Sequence, residues 1–489
     1  MGISQSIRCK TAETAGKLSK YLTKLGSGMG KSFPGYIYLR IGKRECVKDL
    51  SRNLKIGSVI ITGTNGKTTT TKITALLLAK DTSITYNYES NTINAIVTGL
   101  LTGNVELGIF EYGIRDVKNA IPDTVSKMVD PVGVVYTNVS REHSQVSGRK
   151  NPFEDYLRAK QLLSTPMKRG IVICNADDPR TTYIGKIKEN DTLVTYYGLD
   201  IELEDKTPLT GDVFCPMCKE NLVYSKRYLN HRGIYRCSCG FSRPEPDLKL
   251  TQLSSGEDRW QVNVEGEIFN YPTDQKISLD FKVEIPAFGV HNLYNLLCAV
   301  ATYASFTPHP ENIQKTVREA CDEIDLSILP PGRFEIFNVK DKLMENKLVG
   351  MGQGDNGDAL KANIQFMETY VGKDISSDTA FIYNTPDEGE DEIFEDHLSS
   401  MISLNPSIVH VVPGRESVEA ARNYYNILKK SLPADFYPLS HEDMEKRIDK
   451  IRELVEESPF KYMIVSGCGP EQYMWGNLKS GCKSLQESS

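Results

Sequence analysis

The sequence predicts an α/β protein: a doubly wound central domain with a small inserted metal ribbon, followed by a second, Rossmann-like α/β domain. Three observations carry this. Between residues 58 and 174, short apolar runs alternate with helix-like stretches, the pattern of buried parallel strands under crossover helices. A glycine loop at 63–67 joins the first run to a helix, and a cysteine-rich stretch interrupts the alternation near 211–247. Beyond residue 332 a separate alternating block begins, and 489 residues at about 100–200 per domain leave room for roughly three units.

In chain order, residues 11–25 are Lys-rich and helix-like and 26–35 read as a Gly/Ser/Pro linker, so 1–55 form a short N-terminal cap. The central domain spans 56–330. It opens with a strand at 59–61, the glycine loop, and a helix at 68–78 with Ile73, Leu76 and Leu77 inward. Apolar strands at 107–110, 132–136 and 170–174 and a helix at 152–163 follow, then the insertion bounded by Pro208 and the Pro244/Pro246 pair, and a helix at 291–304. Pro330-Pro331-Gly332 makes a hinge, because neither proline can continue a helix. The C-terminal domain, 331–489, carries strands at 379–383, 407–412 and 461–465 and helices at 416–432 and 442–455.

Composition narrows the function. With 58 Lys+Arg against 64 Asp+Glu the net charge is −6, which offers no global field for gripping nucleic acid or an anionic membrane. No apolar run reaches the roughly 18 residues of a spanning helix, and the first residues lack an apolar signal core, so the chain is expected in the cytoplasm. Of the 11 cysteines, Cys9, Cys46, Cys174, Cys298, Cys321, Cys468 and Cys482 are dispersed and are expected as reduced thiols. The other four pair as Cys215-x-x-Cys218 and Cys237-x-Cys239, 18 residues apart, which reads as a tetrahedral structural Zn²⁺ site with His231 as a fallback ligand. Four thiolates leave no open coordination position, so the ribbon is expected to be structural rather than catalytic.

The chemistry concentrates at Thr62-Gly63-Thr64-Asn65-Gly66-Lys67-Thr68-Thr69, between a strand and a helix. Backbone N–H groups and the helix dipole make an anion site there, with Lys67 facing the β/γ-phosphates of a nucleotide and Thr68 a Mg²⁺ ion. Only Thr64 and Asn65 separate the two glycines, which departs from the common phosphate loop. Glu111, ending the apolar strand at 107–110, puts a carboxylate at the carboxyl edge of the sheet, where doubly wound folds place ligands.

The form T-G-T-N-G-K-T-T resembles the phosphate loop of the Mur ligase family, ATP-dependent ligases that extend cell-wall peptide precursors through an acyl phosphate. Further matches follow in order from about residue 57 to the C terminus. The resemblance implies that Glu111 binds Mg²⁺, that His143 in T-N-V-S-R-E-H binds a second Mg²⁺, and that Lys160 in Y-L-R-A-K is carbamylated to give an anionic Mg²⁺ ligand. Asn175-Ala176-Asp177-Asp178-Pro179 matches a turn of structural and nucleotide-side character. Asn292 and Asn295, in G-V-H-N-L-Y-N, are implied near the adenine and the hinge, and Arg333, in G-R-F-E, at the nucleotide phosphates. The catalytic set is then Lys67, Glu111, His143 and Lys160, with Gly63, Thr64, Asn65, Gly66, Thr68 and Thr69 completing the nucleotide loop.

Departures are informative. The family's D-Y-A-H-N-P-D-A-L reads Gly352-Gln353-Gly354-Asp355-Asn356-Gly357-Asp358-Ala359-Leu360 here, and its D-N-P-R specificity motif is absent, with Pro413-Gly414-Arg415-Glu416-Ser417 only loosely occupying that region. The ribbon and the short N terminus resemble the MurT branch, the synthetase half of a glutamine amidotransferase, and cores of this kind also occur in archaeal pseudomurein peptide ligases. That branch generally lacks the histidine and modified lysine, whereas His143 and Lys160 are present here. The expectation is therefore a self-sufficient ligase using ATP, Mg²⁺ and structural Zn²⁺ to add an amino acid to a cell-wall peptide precursor. The alternatives are an amidating subunit with a glutaminase partner and a nucleotide-switched scaffold.

Overall fold

The computed structural model describes residues 3–25, 31–87, 90–140, 152–205, 212–255, 259–286, 289–324, 333–340, 346–414, 417–440, 443–469 and 472–487. His143, the Pro330-Pro331-Gly332 hinge, and Arg415 with Glu416 lie outside them.

The N-terminal layer consists of α1 (Ile3–Leu25), α2 (Phe33–Gly42) and α3 (Val47–Ser51). The first helix is longer than its Lys-rich stretch predicts and buries Cys9, Ala12 and Gly16. The expected linker to residue 35 is shorter, because α2 starts at Phe33 with Pro34 in its first turn, where a missing N–H costs nothing. Cys9 and Cys46 form a disulfide that ties α1 to the turn before α3, so for this pair the expectation of reduced thiols is corrected. Their 37-residue separation hides in sequence that α1 and the turn before α3 place their Cα atoms 5.3 Å apart.

The central unit runs β1 (Gly57–Thr62), α4 (Lys67–Ala79), β2 (Ile84–Asn87), α5 (Ile93–Leu100), β3 (Leu107–Glu111), α6 (Val117–Ala120), α7 (Pro122–Val129), β4 (Gly133–Tyr136), α8 (Pro152–Ser164), β5 (Ile171–Asn175), α9 (Pro179–Lys188) and β6 (Leu193–Asp200). The ribbon strands β7 (Val223–Leu229) and β8 (Arg232–Arg236) come next, then β9 (Leu248–Ser255), β10 (Arg259–Asn270), β11 (Gln275–Pro286), α10 (Val290–Phe306) and α11 (Ile313–Glu323). Nine strands form one sheet in the order β11-β10-β9-β6-β5-β4-β1-β3-β2. All are parallel from β9 through β2, while β10 and β11 form an antiparallel extension. The apolar runs predict β1, β3, β4 and β5; β2, β6 and β9 to β11 lie outside them. Since β6 and β9 pair directly, the ribbon loops out of the sheet and returns to the neighbouring position.

β1 lies between β3 and β4, so the chain switches direction across the sheet there. Their carboxyl ends therefore open a crevice at the switch point, where the phosphate loop, Glu111 and Thr137 converge. Val59 and Ile61 pack with Ile73, Leu77 and Leu78 of α4 on one face, while Ile60 and Phe110 face the N-terminal layer on the other.

The C-terminal unit comprises β12 (Glu335–Lys340), β13 (Asn346–Gln353), α12 (Gly357–Val371), β14 (Thr379–Asn384), α13 (Asp391–Leu404), β15 (Ile408–Val412), α14 (Val418–Leu428), β16 (Ala434–Phe436), α15 (Met444–Glu457), β17 (Tyr462–Gly467) and α16 (Gln472–Glu487). Its six-stranded sheet, β12-β13-β17-β14-β15-β16, is parallel except for β12. No helix among the described residues is long and apolar enough to cross a membrane.

Candidate active site between the two sheets

The phosphate loop is held from beneath by the segment after β4. Thr64 N donates to Asn138 O at 2.8 Å, Asn65 N to Asn138 Oδ1 at 3.1 Å, and Thr137 Oγ1 and Asn138 Nδ2 both donate to Asn65 O, at 2.6 and 2.8 Å. Thr64 Oγ1 meets Ser140 O at 3.1 Å and Tyr156 Oη at 3.0 Å. Gly66 caps α4 at φ +81°, and a Cβ there would lie 2.2 Å from Asn295 Oδ1, so both conformation and space demand glycine. Lys67 Nζ curls back onto Gly63 O and Thr64 O, at 2.9 and 2.6 Å. Thr68 and Thr69 follow in the first turn of α4, where unpaired N–H groups favour an anion.

Glu111 ends β3 buried, and its Oε2 has no hydrogen-bond partner among the described residues. An orphaned carboxylate oxygen beside a phosphate loop fits an oxygen-seeking cation such as Mg²⁺. Lys160, on α8, is fully buried and does reach the loop, where Nζ donates to Gly63 O at 2.9 Å and to Ile114 O at 3.3 Å and lies 4.4 Å above the Tyr156 ring. That is the geometry of a donor. A carbamate at this nitrogen would have to swing away from both carbonyls.

From the opposite side, α10 and the entry to β12 close a small cavity over the loop. Gly66, Thr69, Asn292, Asn295 and Arg333 line it. Asn295 Nδ2 donates to Asn292 Oδ1 at 2.8 Å, and Asn292 Nδ2 meets His291 Nε2 at 3.0 Å. Burial holds Arg333 below the ordinary arginine value although Glu111 and Asp355 pull it upward. Lys72 is likewise lowered, by burial and then by Arg333 and Lys31. Cations crowded this closely suit a polyphosphate. Sequence reasoning did not single out Asn356, which caps α12 and reaches Asn65; an Asn-Gly-Asp before an apolar helix was the available signal.

In the ribbon, the Sγ atoms of Cys215, Cys218, Cys237 and Cys239 all lie within 4.8 Å of one another. The Cys215–Cys239 and Cys218–Cys237 separations are 3.8 and 3.4 Å, near the ~3.8 Å edge of a tetrahedron with Zn–S bonds of about 2.3 Å. The donor set therefore fits zinc. The fallback ligand His231 is elsewhere, at the far end of the hairpin. Asp177 and Asp178 anchor the ribbon to the core: Asp177 accepts from Arg243 Nε at 2.6 Å and from Tyr294 Oη at 2.8 Å, and Asp178 faces His231.

Comparison with known proteins bears on this arrangement. Residues 61–211 match the model of the Mur ligase middle domain. The chain is 28% identical over 341 residues to the MurT subunit of the glutamine-hydrolysing lipid II isoglutaminyl synthase of Streptococcus pneumoniae, covering 67% of this chain and 68% of that one. Among solved structures, a pseudomurein peptide ligase type C from Methanothermus fervidus superposes with a TM-score of 0.67 at 21% identity, over 90% of this chain and 80% of that one. MurF from Thermotoga maritima in complex with ADP gives 0.57 at 13%, over 91% and 84%. These likenesses establish the fold.

Proposed function

From the Mur ligase middle domain at residues 61–211 and the Mur ligase fold around it, we infer that this chain is an ATP-dependent carbon–nitrogen ligase acting on a cell-wall peptide precursor. The observation that carries the reading is the cavity that the Asn292/Asn295/Arg333 wall closes over Gly66 and Thr69, with buried Glu111 beside β1 and within electrostatic reach of Arg333.

In this reading the acceptor carboxylate attacks the γ-phosphorus of ATP and ADP leaves. An amine then displaces phosphate from the acyl phosphate, and its proton passes to solvent. Lys67 exchanges its two loop carbonyls for the β/γ-phosphates, and Arg333 donates to the same oxygens as a charge-assisted partner. Thr68, Glu111, His143 and Lys160 would hold magnesium, which when bound neutralises charge on the transferring phosphoryl group. We assign Lys160 a carbamate in the working enzyme, its modified end swung off the Gly63 and Ile114 carbonyls that Nζ now meets, because an ammonium beside Mg²⁺ repels it and a carbamate oxygen does not. The reaction belongs in the cytoplasm, where ATP is available.

We take a free amino acid as the amine and ammonia from a glutamine-hydrolysing partner as the second reading; the MurT likeness favours the latter and the presence of His143 and Lys160 the former. Hydroxylamine trapping tests the shared step. ATP-dependent hydroxamate formation on a stem-peptide carboxylate supports a ligase of either kind, whereas nucleotide binding without carboxylate-dependent ADP release points to a switched scaffold.

A further inference from the structure

We propose that the tip of the ribbon hairpin, Asn230 and His231, is a positioning element that holds the C-terminal unit over the phosphate loop. The ribbon thus acts on the reaction from a distance, although its cysteines stay out of it.

The tip and the cysteine cluster occupy opposite ends of the β7/β8 hairpin, whose seven-residue strand spans roughly 20 Å. Asn230 makes the turn at φ +54°, a conformation asparagine tolerates, and Tyr224 Oη fixes the turn by donating to His231 O at 2.7 Å. His231, only 5% exposed, stands between two carboxylates. Its Nε2 lies 3.3 Å from Oδ2 of Asp178 in the central unit, and its Nδ1 lies 3.8 Å from Oδ2 of Asp358 on α12. Asn230 Nδ2 donates to Asp358 O at 3.4 Å.

A second set of contacts runs parallel to the first. Asp205 is buried, accepts from Asn230 N at 2.9 Å, and pairs with Lys361 of α12 at 3.2 Å and with Arg227 of β7 at 3.8 Å. One turn of α12 is therefore gripped through Asp358 and Lys361. Asp358 also lines the cavity over the phosphate loop and follows Asn356, the partner of Asn65, by two residues. A displacement at the ribbon tip would move the start of α12, and with it a wall of the nucleotide cavity.

The test measures hydrogen exchange on the full chain, a readout independent of the ligase reading, and steady-state kinetics, which rest on that reading. His231→Ala should speed amide exchange at 357–363 about tenfold while 215–239 and β1 keep their protection, and should raise KM for ATP about tenfold with a smaller change in kcat. His231→Gln, which keeps a donor, should recover part of both. Asp358→Asn approaches the same contact from the other side, and combining it with His231→Ala should add little to either single change. Unchanged exchange at 357–363 in both single variants, or fully additive effects in the double variant, would overturn the proposal. Lost protection across 215–239 in His231→Ala would make the residue a fold determinant of the ribbon and overturn it as well.

Discussion

Asn65, in the phosphate loop, and Asn356, the cap of α12, exchange a reciprocal pair of side-chain hydrogen bonds of 3.2 and 3.1 Å across 291 residues of sequence. Each amide satisfies the other, and the pair joins the loop after β1 to the start of α12 at the edge of the cavity that Gly66, Asn295 and Arg333 line.

Removing this pair should cost more in catalysis than in stability. Asn356→Ala deletes a helix cap, whose Oδ1 accepts from Ala359 N at 3.0 Å, so the fold should lose about 1 kcal/mol. The loop also loses its tie to the C-terminal unit, and kcat/KM for ATP should fall about tenfold or more. Asn356→Asp keeps the cap and should recover the stability, while steady-state kinetics reports whether the bond to Asn65 matters by itself.

Zinc content is the second prediction. Metal analysis of purified protein should give one thiolate-bound zinc per chain, and Cys215→Ser should loosen the ribbon before it harms the nucleotide loop. Limited proteolysis near 215–239 against nucleotide-analogue binding separates the two effects. Metal-free protein with an ordered ribbon would contradict the assignment.

Lys160 supplies the third. Lys160→Ala should reduce turnover about a hundredfold or more, and short carboxylates should restore part of it if a carbamate is the working form. Mass spectrometry under native, bicarbonate-rich conditions gives a separate check through a 44 Da increment, the mass of the added CO₂. Activity untouched by the substitution would favour the amidating reading.

The pH dependence of stability follows from Asp178. Burial alone would raise this carboxyl, but His231, Arg180 and the Val139 N–H overcome it and hold it at about 2. Because the folded value lies below the unfolded one near 3.9, the contribution of roughly 2 kcal/mol is present above about pH 4 and is lost as pH falls toward 2. Asp178→Asn should flatten that part of an acid-unfolding profile followed by circular dichroism.

Much of this was legible in sequence, and the exceptions share a cause. β1, β3, β4 and β5 read as uniform apolar runs because both faces are buried, and the phosphate loop reads through its glycines. β10 and β11 did not, since an antiparallel edge alternates Trp260, Val262 and Val264 with polar residues and has no apolar run to notice. The Cys9–Cys46 bond, the Asn65–Asn356 pair and the His231 contacts are products of tertiary packing between distant segments, which no local pattern encodes. Lys160 was readable as a residue near the loop, but its bonds to Gly63 O and Ile114 O were not.

The most direct measurement of the central claim is ADP release by purified chain with Mg²⁺ and ATP, with and without a stem-peptide carboxylate and hydroxylamine. The account predicts release that depends on the carboxylate, a matching amount of hydroxamate, and loss of both in Lys67→Ala. ATP hydrolysis indifferent to the carboxylate, with no hydroxamate, would contradict it.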